Sequence, residues 1–356
     1  MDYNPPAHLL RASALAVMNR DPVSVDLGLQ GGGAHGAFTW GVLDRLLEES
    51  WLLFDGVSGT SAGAMNAVVM ADGLAAGGPP QARTALEQFW KRVSDAALLS
   101  PLRRGPLEVL TGSWTLDYSP VFAALDIASR VFSPYDVNPF GANPLRQILA
   151  DSIDFTRLAR AQIKIFVTAT NVRTGRGRVF RNPDITPDVL LASACLPTLF
   201  QAVEIDGDPY WDGGYTGNPT MVPLIRECSS SDTILVQINP IERPGTPRSA
   251  REIHNRLNEV AFNAVLMKEL RAAALLRKAA DPGSDEGRVW AKMRVHRIAS
   301  DVMLDLGYSS KLLADWEFFQ VLRDEGRKAA QAFLDAHGND LGLRSTLDVD
   351  QFLDGI

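Results

Sequence analysis

Two turns made almost wholly of small residues set the strongest limit on the fold. Gln30-Gly31-Gly32-Gly33-Ala34-His35-Gly36 and Gly59-Thr60-Ser61-Ala62-Gly63 each follow a short apolar run and precede a helical pattern. The runs, residues 22–29 and 52–57, read as strands. After the first turn, Phe38, Val42, Leu43, Leu46 and Leu47 recur at helical spacing; after the second, the alanine-rich stretch 62–74 reads as a buried helix. Strand, helix, strand, helix predicts parallel strands joined by right-handed crossovers.

Further strands are expected at 163–170 and 233–239, and a short helix at 187–195, stopped by Pro197. Residues 209–214 form an apolar run that turns sharply at Gly213 and Gly214. From Ser249 onward only helical patterns are found. The expected fold is a three-layer α/β arrangement, a mostly parallel sheet with helices on both faces, followed by a C-terminal helical region. The expected division is an N-terminal arm (1–22), a catalytic α/β core (23–240) and the helical region (241–356). Residues 79–158 are helical but broken by prolines, and rich in aromatics such as Phe89, Trp90, Phe122 and Phe132. They suit core filling, or a lid or apolar acyl pocket above the serine turn.

Composition excludes several classes. With 356 residues, 46% of them hydrophobic, the chain can bury a large core without disulfides or metals. Its two cysteines, Cys195 and Cys228, lie in no zinc-ligand spacing, so no metal and no cofactor is expected. A net charge of -7 argues against nucleic acid as a partner. The N-terminus lacks the pattern of a secretory signal, and residues 9–18 are too short an apolar stretch to span a bilayer. The expected location is cytoplasmic, with peripheral membrane contact left open.

Gly59-Thr60-Ser61-Ala62-Gly63 has the Gly-x-Ser-x-Gly form of a strand-to-helix bend that exposes a serine hydroxyl. The glycine turn offers backbone N–H groups at a helix start, suited to a phosphate or a developing oxyanion. It also fits G-x-G-x-x-G, the dinucleotide fingerprint, with Asp55 at a suitable distance, so a dinucleotide-binding module is the alternative. Against it, Asp55 is followed by Gly56 and Val57, and the serine turn occupies the strand end where a ribose would sit. None of the five histidines lies in the context of a triad histidine. Asp212, at a strand end before Gly213-Gly214, is the stronger candidate base, although an aspartate opening a glycine turn is also common for structural reasons alone.

Taken together, the glycine turn, the serine turn and Asp212-Gly213-Gly214 resemble the patatin-like phospholipase family, with support from residues 192–197 and Asn218-Pro219. The resemblance implies a lipid acyl hydrolase with a Ser61–Asp212 dyad, lipid or other ester substrates and no catalytic histidine. Gly31, Gly32, Gly33 and His35 would form the oxyanion hole, Gly59, Thr60, Ala62 and Gly63 the nucleophile elbow, and Gly213 and Gly214 the dyad turn. The family usually has arginine or lysine where this chain has His35, whose charge is less fixed. Acyl transfer to another alcohol, or lipid binding without catalysis, would use the same residues. The stretch 248–297 carries a surplus of Arg and Lys, suited to a solvated helix face or to anionic lipid.

Overall fold

The computed structural model describes residues 20–353, so most of the expected N-terminal arm lies outside the described residues. The chain begins with β1 (Val23–Leu29), the glycine turn, α1 (Gly36–Leu46), β2 (Leu52–Gly59) and α2 (Ala62–Ala96), whose helical backbone breaks at Gly77 and Gly78. Short helices follow, α3 (Pro106–Thr111), α4 (Pro120–Ala128), α5 (Pro134–Val137), α6 (Leu145–Ser152) and α7 (Phe155–Leu158). Prolines open α3, α4 and α5, where the missing N–H costs nothing. Then come β3 (Lys164–Asn171), β4 (Gly177–Arg181), α8 (Pro187–Ser193), β5 (Val203–Ile205), β6 (Asp208–Asp212), α9 (Val222–Glu227) and β7 (Asp232–Val236). The chain closes with α10 (Ala250–Ala279), α11 (Asp285–Lys292), β8 (Arg294–Ile298) and α12 (Trp316–His337).

The strands form one sheet in the order β5-β6-β3-β2-β1-β7-β8, with β4 also paired to β3. The pairs β1–β2, β1–β7, β2–β3 and β7–β8 are parallel; β4, β5 and β6 join antiparallel. Side chains alternate between two cores, as a period of two requires. Ile165, Val167, Ile234 and Val236 face the core that also holds Phe38, Val68 and Phe318, whereas Phe166 and Leu235 face Leu224, Leu266 and Trp290. The sheet is therefore the middle of three layers.

The expectation of helices alone after Ser249 fails at Arg294–Ile298. This segment pairs with β7 in parallel and extends the sheet edge. Its alternation was hidden by charge: His296 is fully buried because Asp232, itself buried, accepts from it at 3.0 Å and from Arg294 at 2.6 Å. Helix α12 also belongs to the core. A Cβ on Gly41 would lie 1.9 Å from the Arg323 carbonyl, and one on Gly326 2.0 Å from that of Phe38. Two glycines thus let α1 and α12 pack backbone against backbone.

Candidate active site

Both small-residue turns sit at the C-terminal ends of adjacent parallel strands, since Leu29 pairs with Gly59 at the last register position. Ligand sites in open parallel sheets fall at this edge. Ser61 adopts φ 54, ψ −124, the left-handed region that a side chain rarely enters. Its flanking glycines make that bend sterically feasible: a Cβ on Gly59 would lie 2.5 Å from the Gly63 carbonyl oxygen, and one on Gly63 2.2 Å from that of Leu29. The Ser61 amide donates to Ser193 Oγ at 2.9 Å, and Thr60 Oγ1 to the Gly217 carbonyl at 2.6 Å. The bend is held from outside, by α8 and by the loop after β6.

Asp212 ends β6 and is 1% exposed. Its amide donates to the Cys195 carbonyl at 2.8 Å, and its Oδ1 accepts from the Gly214 amide at 2.7 Å. The turn requires both glycines, because a Cβ would lie 2.0 Å from the Thr168 carbonyl at Gly213 and 2.4 Å from the Phe262 ring at Gly214. Burial raises the Asp212 pKa to about 7, against the opposing effects of the Gly214 amide, a hydrogen bond with the Ser61 side chain and the Lys311 charge. Serine and aspartate, roughly 150 residues apart in sequence, are thus neighbours.

The glycine turn divides into used and free amides. Gly31 donates its N–H to Asn218 Oδ1 at 2.7 Å, while those of Gly32 and Gly33 have no acceptor among the described residues. His35 does not join them. Its ring is buried, Nε2 lies 2.7 Å from Ser310 Oγ, and Phe318 packs edge-on against it. Burial, then the Lys311 charge, pushes its pKa well below the usual value, so the ring is neutral. Gly31 and His35, both expected in an oxyanion hole, have partners elsewhere: the Gly31 amide is already bonded, and the imidazole is uncharged and turned toward Ser310.

Ser61, Asp212, Gly32 and Gly33 line a cavity of about 250 Å³ whose other walls are mainly apolar, among them Met65, Phe89, Trp90, Leu145 and Phe319. A second cavity of about 550 Å³ lies alongside, sharing Leu196, Leu199, Phe262, Tyr308 and Leu312 with the first. Phe122 and Phe132 reach it from the proline-broken segment. That segment leaves Leu110, Val131, Phe132 and Phe140 exposed.

Three contributors were not singled out from sequence. Ser193 and Asn218 fall in stretches noted only for their resemblance. Lys311, which enters the cavity wall from the turn before α12, carried no signal, because its place depends on how the C-terminal segment docks.

The dinucleotide alternative gains nothing from the geometry. Asp55 stands four residues before the end of β2, about 13 Å along the strand, and its carboxylate accepts from the Ser229 amide. Asp26, Asp55 and Cys228 bring their possible ligand atoms within 4.8 Å of one another. Burial, then the Asp55 charge, raises Asp26 to about 8, so this cluster holds a proton at neutral pH.

The surplus cations of 248–297 are largely engaged. Arg277 pairs with Asp350 at 2.6 Å, Arg294 with Asp232 at 2.6 Å, Arg256 with Glu259 at 3.3 Å, and Arg288 with Asp285. Among the described residues no helix is long and apolar enough to cross a membrane.

Over 209 residues the chain is 31% identical to a cGAMP-activated phospholipase of Pseudomonas aeruginosa, covering 54% of this chain and 53% of that protein. The chain thus spans about half the length of that curated relative. A superposition on the crystal structure of VipD from Legionella pneumophila covers 89% of this chain and 67% of that one, at 16% identity and a TM-score of 0.39, too loose a likeness to support an argument. The family model for patatin-like phospholipase matches residues 27–224, from β1 through the serine turn and Asp212 into α9. The chain belongs to the patatin-like phospholipase family.

Proposed function

We propose that this chain is a serine-dependent acyl hydrolase that cleaves carboxylic ester bonds of lipids through a Ser61–Asp212 dyad and an acyl-enzyme. The observation that carries the reading is the pairing of a positive-φ serine with a buried carboxyl poised near pH 7, both opening on one apolar cavity. Asp212 takes the Ser61 proton as Oγ attacks the ester carbonyl. The Gly32 and Gly33 amides receive the charge that forms on the carbonyl oxygen. The alkoxide leaves with the proton from Asp212, and water then attacks the acyl-enzyme by the same route. The apolar walls take the acyl chain, and the exposed apolar side chains of α3 to α5 suit contact with a lipid surface better than the paired cations of α10 do.

The test combines a fluorophosphonate probe with turnover of a short-chain nitrophenyl ester and of phospholipid vesicles. Wild-type protein takes one label, and Ser61→Ala takes none and loses turnover of both substrates. Asp212→Asn lowers kcat by about 10⁴-fold while the protein still folds. Full activity in Ser61→Ala rules the mechanism out.

A further inference from the structure

One charged group at the site has no part in the dyad chemistry above. Lys311 lies in the short turn Ser309–Leu312, and its side chain lines the same cavity as Gly32, Gly33, Ser61 and Asp212. In a wall otherwise mainly apolar, an ammonium group is costly unless it is held. It is held by neutral groups. Nζ donates to Asn239 Oδ1 and to Asn258 Oδ1, each at 2.7 Å, and the Phe262 ring centroid lies 5.5 Å from it. Two of its three N–H donors are thereby fixed, and no carboxylate is ion-paired to it among the described residues. Glu259, the acid on the neighbouring helix, is taken by Arg243 at 2.7 Å and by Arg256 at 3.3 Å.

The same turn is built onto the glycine loop. A Cβ on Gly33 would lie 2.4 Å from the Lys311 carbonyl oxygen, so only glycine lets the two backbones meet. Ser310 Oγ meets His35 Nε2 at 2.7 Å, and Asn239, which holds the ammonium, also donates to the Gly31 carbonyl at 3.0 Å. One asparagine therefore fixes the lysine relative to the loop whose Gly32 and Gly33 line the cavity.

We infer that the Lys311 ammonium is a catalytic group of this site: it supplies the positive charge that faces both the oxyanion position at Gly32–Gly33 and the Asp212 carboxylate. This inference rests on the Ser61–Asp212 reading. Before attack the charge favours ionised Asp212, the form that accepts the serine proton. After attack Asp212 is neutral and the charge is on the substrate oxygen, so the same cation stabilises the tetrahedral anion. No change of partner is needed, because the lysine is anchored by uncharged amides. His35, neutral and turned toward Ser310, leaves this task to a residue almost 280 positions downstream.

Burial lowers the Lys311 pKa to about 8, with Glu259 and Asp212 opposing the fall and Arg243 adding to it. The remaining titratable neighbours, His35 and Tyr308, are uncharged near neutral pH, the first because its pKa is lowered and the second because its pKa is raised. The cation is therefore present at neutral pH and lost in mildly alkaline solution.

The experiment compares wild type, Lys311→Met, Lys311→Arg and Ser61→Ala on a short-chain nitrophenyl ester between pH 5.5 and about 10. Lys311→Met is expected to lose ~10²-fold in kcat with KM changed less than ~3-fold, the pattern of a group that acts on the transition state. Its acid limb moves upward, because Asp212 loses the cation that favours its ionised form. The wild-type profile falls again above about 8, and in Lys311→Arg, which keeps its charge, part of kcat returns and this alkaline limb moves upward. Lys311→Met with wild-type kcat and unmoved limbs overturns the inference, as does a loss in Lys311→Arg equal to that in Lys311→Met. If Lys311→Met does not fold, the alkaline limb of the wild type and its shift in Lys311→Arg decide the matter. The arms also separate the two readings. An active Ser61→Ala protein removes the acyl-enzyme itself, whereas inactive Ser61→Ala beside unimpaired Lys311→Met removes only the role of the lysine.

Discussion

The hydroxyl of Ser193, fully buried at the end of α8, accepts the amide N–H of Ser61 at 2.9 Å. The serine bend therefore depends on a residue more than 130 positions away. Removing that oxygen in Ser193→Ala leaves a buried donor unsatisfied, which costs about 1–3 kcal/mol. The expected outcome is a lower melting temperature and a kcat reduced by about tenfold, since a slightly misplaced Oγ attacks poorly. Unchanged melting and turnover would show that the bend holds itself.

Under the proposed mechanism Asp212 sets an acid limb, and its raised pKa also carries a stability cost. Catalysis through its ionised form means that kcat/KM rises with pH through about 7. The same raised pKa works against the fold. A carboxyl whose folded pKa lies above its unfolded value of 3.8 contributes stability below that value, and the contribution is lost as pH rises through about 7. Asp212→Asn is thus expected to be nearly inactive yet to melt higher than wild type at pH 8, with the gap closing toward pH 5. Equal melting temperatures at both pH values would contradict the raised pKa.

Asp26 makes a second, independent pH prediction far from the dyad. It is 1% exposed in the middle of the sheet, neither carboxyl oxygen has a well-formed hydrogen bond, and burial followed by the Asp55 charge raises it to about 8. Wild-type stability should fall by up to about 1.4 kcal/mol per pH unit as pH rises from 3.8 toward about 8, and this contribution should level off above 8. In Asp26→Asn this slope should flatten. Urea midpoints measured at pH 5, 6 and 7 test it, and parallel slopes in the two proteins would refute it.

Gly41 and Gly326 bring the first and last helices together. An added methyl at either position meets the partner helix backbone at about 2 Å, where no side-chain rotation gives relief. Gly41→Ala and Gly326→Ala should each destabilise by more than about 2 kcal/mol, despite alanine's better helix propensity. Combined, they should cost less than the sum, because one separation of α1 from α12 relieves both clashes. Full additivity in denaturant melts would mean the clashes are relieved locally.

The sequence alone determined the central α/β unit and the family. Short apolar runs before Gly31 and Gly59, each followed by helical spacing, are local patterns, and the Gly-x-Ser-x-Gly and Asp-Gly-Gly turns demand small residues for reasons visible within a few positions. Tertiary structure alone decided what depends on partners distant in sequence. The strand at Arg294–Ile298 was hidden because its polar residues Arg294 and His296 are held by Asp232, which lies on the neighbouring strand. Asn218 and Ser310 take hydrogen bonds of Gly31 and His35, and Lys311 enters the cavity because the C-terminal turn packs on Gly33. A local motif specifies where the backbone bends. Which of its polar groups remain free for chemistry depends on the long-range contacts that satisfy the rest.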